Sequence, residues 1–454
     1  MAFGSESVEA RPVSERRSYE MIPSAKRLIK SLRDMGYDFP AAVADLIDNS
    51  IEAGASRVAI DIRFEGDNSR VRIADDGRGM DAEQLREAMR YGSERDYDED
   101  ALGKFGLGLK TASMSQCRRL SVASRPSTDG SDIAAYCWDL DHIEQQNKWE
   151  IVALERDGVG LFAREPLKNQ AGTVVVWQKL DRILGYDHPY GEAARNRLLQ
   201  MSRDVEQHIA MVFHKFLSGE VKNKQLQIVL NGNEVTPWDP FCRNEKATKV
   251  LEPLRLAVEF EGALGEMRLE PFVLPHEDDF SSPDAFRRAS GPSKWNQQQG
   301  FYIYRNGRMI QSGGWCRLRT ADEHTKLARI GLSFSPVLDE AFKINVAKMR
   351  VQLPTYARDD LERALAPVVR LARESYDRKS RDKAPTAPPS GGRKGDEEGR
   401  RPGGRGGNTG ESGDPRLTLE QLTHLLIKVA TEAERPVVKA VTQRLRDALR
   451  GSSL

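Results

Sequence analysis

A short acidic segment and three glycine-bearing loops hold the residues of this chain whose types and spacing could do chemistry. Asp45, Asp48, Asn49 and Glu52 fall within eight positions. On a helix, Asp45 and Asn49 are four apart and stack on one face. Such a set can orient water and hold a hard cation through oxygen. It is also what an amphipathic surface helix would show, because Val43, Leu46, Ile47, Ser50 and Ile51 form the opposite face. Next, Ile73-Ala74-Asp75-Asp76-Gly77-Arg78-Gly79-Met80 reads as a strand ending in a carboxylate and a two-glycine turn. A buried carboxylate there could accept from an exocyclic amine, and glycines let a flat ring approach the backbone.

The third segment is Gly103-Lys104-Phe105-Gly106-Leu107-Gly108-Leu109-Lys110-Thr111. Glycine-rich loops that open a helix present backbone N–H groups to phosphates, reinforced by the helix dipole. This loop is not a Walker A loop, since Leu109 stands where lysine is required. It is not a dinucleotide fingerprint either, since Thr111 replaces the third glycine. Finally, Gly172-Thr173 opens a valine run, a signal that says little by itself.

These residues need elements to position them. A helix is expected over 21–35 with Ser24 as N-cap, and a second from Pro40 to Ala53, stopping at Gly54. Val58, Ile60, Ile62 and Phe64, then Val71 and Ile73, alternate as strands around a Gly66-Asp67-Asn68 turn. Further strands are expected near 120–123, 135–140 and 173–177, and a helix over 191–217. Strand-like runs at 226–230, 268–274 and 300–304 point to a second α/β domain. The expected organisation is a flexible 1–20, a first domain over 21–218, a second domain over 219–375, a disordered linker over 376–416 and a helical 417–454. The linker is rich in Gly, Pro and charged residues and cannot bury enough apolar surface to offset the entropy of ordering. In the last segment Leu419, Leu422, Leu426 and Val429 recur at helical spacing until Pro436.

Composition sets bounds. The 454 residues carry 69 basic and 68 acidic side chains, a net charge of +1, which argues against binding nucleic acid through overall charge. Four cysteines without a C-x-x-C pair argue against a zinc module or disulfide framework and fit a reducing cytoplasm. No apolar run approaches the roughly 18 residues of a membrane span, and the N-terminal stretch lacks a signal-like apolar core.

Taken in order, the four segments resemble the ATPases of the gyrase, heat-shock chaperone, histidine kinase and MutL (GHKL) type. Asp45-Leu46-Ile47-Asp48-Asn49-Ser50-Ile51-Glu52-Ala53 looks like the first motif of that family and Asp75-x-Gly77-x-Gly79-Met80 like the second. Gly103-x-Phe105-Gly106-x-Gly108 looks like the third, and Gly172-Thr173 like the fourth. The run 103–114 most resembles the MORC-type branch and its bacterial relatives. The resemblance implies an α/β (α+β) fold: a Bergerat-type ATP-binding domain, with helices on a mixed, largely antiparallel sheet, followed by a ribosomal-protein-S5-like transducer domain. It implies ATP and Mg²⁺ as ligands. Asn49 would ligate the metal, and Asp75 would accept from the adenine amine beside Gly77, Gly79 and Met80. Thr173 would share a water network with Asp75. Gly103, Lys104, Phe105, Gly106, Leu107, Gly108, Leu109 and Lys110 would surround the phosphates within a lid over 92–110. It also implies lid closure and nucleotide-dependent homodimerisation, and, by fold-level analogy alone, action on DNA.

Two departures matter. The general base of the family is usually glutamate, and this chain has Asp45, shorter by one C–C bond, ~1.5 Å. Slow hydrolysis is therefore expected, unless a small helix shift compensates. Glu52 replaces the family's later aspartate. A sensor of the γ-phosphate is expected in 342–354, with Lys348 as the candidate and Lys343 and Arg350 as competitors; a solvated loop lysine is the plain alternative. Among the branches, a histidine kinase is disfavoured because the first histidine is His142, and neither topoisomerase nor MutL-endonuclease motifs are recognisable. The rival from another class is a non-hydrolysing ATP-binding scaffold that recruits a protein partner through its C-terminal helices.

Overall fold

The computed structural model describes residues 21, 23–34, 37–92, 108–126, 131–292, 295–343 and 351–382. Packing divides the chain into two units, Met1–Pro385 and Thr386–Leu454, and all described residues belong to the first. The expected flexible N-terminus and C-terminal helices lie outside the described residues, as do 383–416 of the expected linker, Gly103 to Leu107, the acidic 96–100 stretch, Lys348 and Arg350. The first residues expected in the linker, 376–382, are instead the end of the helix Arg358–Asp382.

The first sheet has eight strands. They are β1 (Arg57–Arg63), β2 (Arg70–Asp75), β3 (Arg119–Arg125), β4 (Ala134–Asp139), β5 (Val152–Ala153), β6 (Gly172–Gln178), β7 (Gln227–Leu230) and β8 (Asn233–Glu234). Their order is β5-β4-β3-β6-β2-β1-β7-β8, antiparallel except for the parallel β1–β7 pair. The mixed, largely antiparallel sheet is the one expected. The position of β7 is not: residues 226–230 were expected in the second domain. Gln227 to Leu230 instead pair with Arg57 to Ile60 and close the edge of the first sheet.

Period-two alternation explains why this sheet is covered on both sides. Val71, Ile73, Leu120, Val122, Val175 and Trp177 point into the main core. Ala74, Ala123, Val174 and Val176, each next to one of these, point to the other face and pack on Ala163 and Leu167. Helices α1 (Ala25–Arg33), α2 (Phe39–Glu52), α3 (Ala82–Met89) and α4 (Gly108–Met114) belong to the main-core side, with Ile29, Phe39, Leu85 and Met114 buried there. Helix α5 (Leu140–Gln146) follows β4, and α6 (Gly158–Arg164) supplies Ala163 to the other face. The expected Ser24 cap differs in detail. Ser24 sits at the N-cap of α1 but makes no side-chain cap bond. Its hydroxyl donates to Asn147 Oδ1, which also accepts from the Lys26 N–H, so a residue far away in sequence satisfies the helix end.

The helical run expected over 191–217 is α7 (Glu192–Val212) and a short α8 (His214–Leu217), separated at Phe213. The second sheet has six strands: β9 (Lys249–Val250), β10 (Leu254–Phe260), β11 (Ala263–Val273), β12 (Gly300–Arg305), β13 (Arg308–Ser312) and β14 (Ala328–Phe334). Their order is β10-β11-β14-β12-β13, with β9 on β11. Short helices α9 (Pro283–Ala289) and α10 (Trp295–Gln298) precede β12, and the long α11 (Arg358–Asp382) covers the sheet. No helix among the described residues is long and apolar enough to cross a membrane.

Strand β12 joins the two sheets into one body. Phe301 and Ile303 point into the core of the second sheet, while Tyr302 and Tyr304 point into the core of the first. At that seam the Tyr304 hydroxyl meets His214 Nε2 at 2.8 Å, and the Lys215 ammonium lies 3.9 Å from the Tyr304 ring centre. Burial pushes the His214 pKa down to about 4. The unfolded chain, with a histidine pKa of about 6.5, then binds the proton more readily than the folded one. The histidine's contribution is intact above pH ~6.5 and is lost as the pH falls toward 4. The melting temperature is expected to drop through this window, and His214→Gln to make the drop shallower. Parallel thermal scans from pH 7.5 to 4 check it.

Candidate functional site

Helix α2 builds the centre of the site. Asp38 caps it by accepting from the Ala41 N–H at 2.8 Å, and Pro40 sits in the first turn, where its missing N–H costs nothing. The helix is not the amphipathic surface helix that its pattern also allowed. It is enclosed by α4, α7 and the first sheet, and Asp45 and Asp48 are 3% and 0% exposed. Asn49 is the polar residue of this set that stays exposed, so its amide is open to a ligand. Glu52 is partly exposed at the last turn.

The two buried aspartates are held differently. The Arg308 Nε, from β13, lies 2.8 Å from both oxygens of Asp48, and its guanidinium lies 5.8 Å from the Phe213 ring centre. Asp45 accepts from the Tyr37 hydroxyl through Oδ2 at 2.9 Å. The same oxygen is 3.2 Å from the point where a Cβ on Gly108 would stand. A glycine at the start of α4 therefore leaves the backbone open toward the carboxylate.

Asp75 closes the other side. It is buried, at the end of β2. Its Oδ1 accepts from the Gly77 N–H at 3.0 Å and the Thr173 N–H at 3.1 Å, and its Oδ2 from the Ser50 hydroxyl at 3.0 Å. Burial raises its pKa above the ordinary carboxylate value, and these three donors pull it back. Ser50 belongs to the same helix as Asp45 and Asn49, so one helix sets the spacing of all four groups. The following turn requires glycine. Gly79 has φ +64°, and a Cβ on it would come within 1.7 Å of the Arg125 carbonyl oxygen. Gly172 has φ +141°, and a Cβ there would come within 2.0 Å of the Asp75 carbonyl oxygen. Both positions bring backbone against backbone beside the Asp75 carboxylate.

A hydroxyl pair that the sequence did not reveal completes this wall. Ser124, fully buried on β3, accepts from the Met80 N–H at 2.9 Å, donates to the Gly172 carbonyl and lies 2.9 Å from the Thr173 hydroxyl. A serine inside a strand carries no motif. Its role follows from the β3–β6 register, which sets Ser124 opposite Thr173.

The glycine loop is described from Gly108 onward, as the start of α4. Leu109 is partly buried. Lys110 is 2% exposed, and its ammonium donates to the Ala88 carbonyl near the end of α3 at 3.0 Å. Burial pulls its pKa down to about 8. The lysine thus ties α4 to α3, a different use from the phosphate contact expected of it. Lys343, a rival for the γ-phosphate role, is exposed at φ +46°. Nearby, the Gln352 N–H donates to the Phe342 carbonyl at 2.9 Å. Among the described residues no group of three or more His, Cys, Asp or Glu side chains could hold a metal by themselves.

The Asp48–Arg308 pair is a buried ion pair and costly to break on one side only. Arg308→Met would strand a buried carboxylate and is expected to lower stability by about 3–5 kcal/mol. Adding Asp48→Asn should recover much of that loss. Denaturant midpoints of the two single variants and the double variant, at unchanged slope, check it.

The comparisons with known proteins agree with this geometry. A family model described as "Histidine kinase-, DNA gyrase B-, and HSP90-like ATPase" matches residues 37–173, the stretch from Tyr37 to Thr173. The DNA mismatch repair protein MutL of Rhodospirillum rubrum is 28% identical over 179 residues, which is 38% of this chain and 24% of that protein. MutL of Haemophilus influenzae strain PittEE is 25% identical over 284 residues, 60% of this chain and 38% of that protein. MutL of Azorhizobium caulinodans is 36% identical over 92 residues, 19% of this chain and 15% of that protein. In these three matches the chain spans at most 38% of its relative's length. With its buried Asp75, its two-glycine turn and its mixed sheet, the domain containing residues 37–173 belongs to the GHKL-type ATPases.

Proposed function

We propose that this chain is an ATP-operated switch that binds Mg·ATP and hydrolyses it slowly. The observation that carries the reading is the shared anchoring of the site. The helix bearing Asp45 and Asn49 also bears Ser50, which fixes the buried Asp75. Adenine would lie against the Gly77–Met80 turn, its amine donating to Asp75, with Thr173 and Ser124 holding water beside it. The exposed Asn49 would ligate Mg²⁺, a metal that commonly takes one or two protein oxygens and completes its shell with phosphates and water. The loop from Gly103 to Leu109 would cradle the phosphates. The lysine following it, Lys110, acts as an anchor between helices.

Asp45 would take a proton from the attacking water. The water oxygen bonds to the γ-phosphorus, the bond to the β–γ bridging oxygen breaks, and ADP and phosphate leave. The carboxyl group then releases its proton to solvent. Lys348 is our candidate for sensing the γ-phosphate, with Lys343 and Arg350 as rivals. Triphosphate would order the lid and favour pairing of two chains, and hydrolysis would release it. The second sheet acts as the transducer in this reading. Its support is the Asp48–Arg308 pair and the two-faced β12, which connect it directly to the nucleotide helix. Action on DNA is proposed from the MutL relatives, and a MORC-like place in the family from the 103–114 run. We place the chain in the cytoplasm.

Two variants test the site. Asp75→Asn exchanges an acceptor for a donor facing the amine and is expected to weaken ATP binding about 10–100-fold by calorimetry. Asp45→Ala should keep ATP affinity within a few-fold while lowering single-turnover phosphate release by about 10²–10⁴-fold. Undiminished binding by Asp75→Asn would sink the nucleotide reading. Tight binding without turnover in the parent chain would instead favour the non-hydrolysing scaffold.

A further inference from the structure

We infer that Tyr37 is a positioning residue for the reaction, holding the short Asp45 carboxylate in the orientation from which it meets the attacking water. The inference rests on Asp45 being the base. Tyr37 lies two residues ahead of α2 and is 8% exposed. Its hydroxyl donates to Asp45 Oδ2 at 2.9 Å, inside the protein. The side chain of Thr111, fully buried on α4, acts on the same phenol and lowers its pKa. The backbone is pinned as well: Gln116 Nε2 donates to the Tyr37 carbonyl at 3.0 Å, and the same amide nitrogen lies 2.8 Å from the Ser115 hydroxyl. Tyr37 is thus held through its backbone by the segment that follows α4, while its hydroxyl reaches the carboxylate on α2.

The physical argument is one of reach and of acceptor capacity. An aspartate is shorter than the usual glutamate by one C–C bond, so its oxygens tolerate less error in placement. A phenol donating to Oδ2 fixes the rotation of the carboxylate. It leaves acceptor capacity for water, because a carboxylate offers about four lone-pair sites. The donor is also dependable. Burial and the neighbouring Asp45 charge raise the Tyr37 pKa above its ordinary value, so the phenol keeps its proton. A substitution that deletes the hydroxyl but keeps the ring should leave packing in place and release only the orientation.

The test is a kinetic cycle on the full chain with Mg·ATP. It compares the parent, Tyr37→Phe, Asp45→Ala and the double variant by single-turnover phosphate release, with ATP affinity from calorimetry. Tyr37→Phe is expected to slow turnover by about 10–100-fold, the loss typical of one hydrogen bond to a charged group, and to leave ATP affinity within about threefold. In the Asp45→Ala background the same change should alter the residual rate by less than about threefold, since a positioning residue has no effect once its target is gone. A residue serving only the fold would act equally in both backgrounds, and that result overturns the inference. Full turnover by Tyr37→Phe, with Asp45→Ala inactive, overturns it while sparing Asp45 as the base. Full turnover by Asp45→Ala overturns both.

Discussion

Asp48 keeps a carboxylate at zero exposure, and the guanidinium of Arg308, 260 positions later in the chain, answers its charge. A buried ion pair of this kind adds little net stability, but either partner alone is strongly unfavourable inside the protein. The pair therefore acts as a geometric constraint. It permits α2 to lie at full depth only when β13 is in place beside it. Everything else about the site is measured from that helix: the exposed amide of Asn49, the carboxylate of Asp45 and the Ser50 hydroxyl on Asp75.

The same constraint makes the second sheet part of the site's scaffold. A strand with one apolar face can serve one core, but β12 is buried on both sides. Its alternate residues fill two different cores, with phenylalanine and isoleucine on one side and tyrosines on the other. Tyrosines suit the seam because each brings a large apolar ring and one polar atom that finds a partner. Tyr304 meets His214, and Tyr302 donates to the Gln298 carbonyl. A displacement of β12 or β13 would have to be felt in both cores, because packed interiors do not deform gradually. A displacement of α2 has a physical path here, through Arg308 to the second sheet.

Around Asp75, the backbone does most of the holding. Gly172 lets its strand end approach the Asp75 backbone closely, and Gly79 lets the turn approach the backbones of Arg125 and Gly172. The carboxylate is held chiefly by main-chain donors, which cannot rotate away. An acceptor held in this way is pre-organised, so little ordering would be left for a ligand to impose.

Local periodicity alone determined much of this. The alternation in 57–63 and 70–75 gave strands within a residue or two, and the Asp45–Asn49 spacing correctly put both on one helix. The order of the glycine segments pointed to the ATPase type that residues 37–173 match. Local pattern could not say which side of α2 would be covered. The amphipathic reading failed at Asp48 because burial there depends on an arginine far along the chain. Nor could it place β7, whose short apolar run suits either sheet and whose pairing with β1 is a long-range choice. Lys110, Ser124 and Tyr37 share that reason. Lysine, serine and tyrosine are common residues with no spacing signature. Only the assembled neighbours (a helix-end carbonyl, an opposite strand, a carboxylate on the next helix) turned them into an anchor, a hydroxyl bridge and a carboxylate-holding donor.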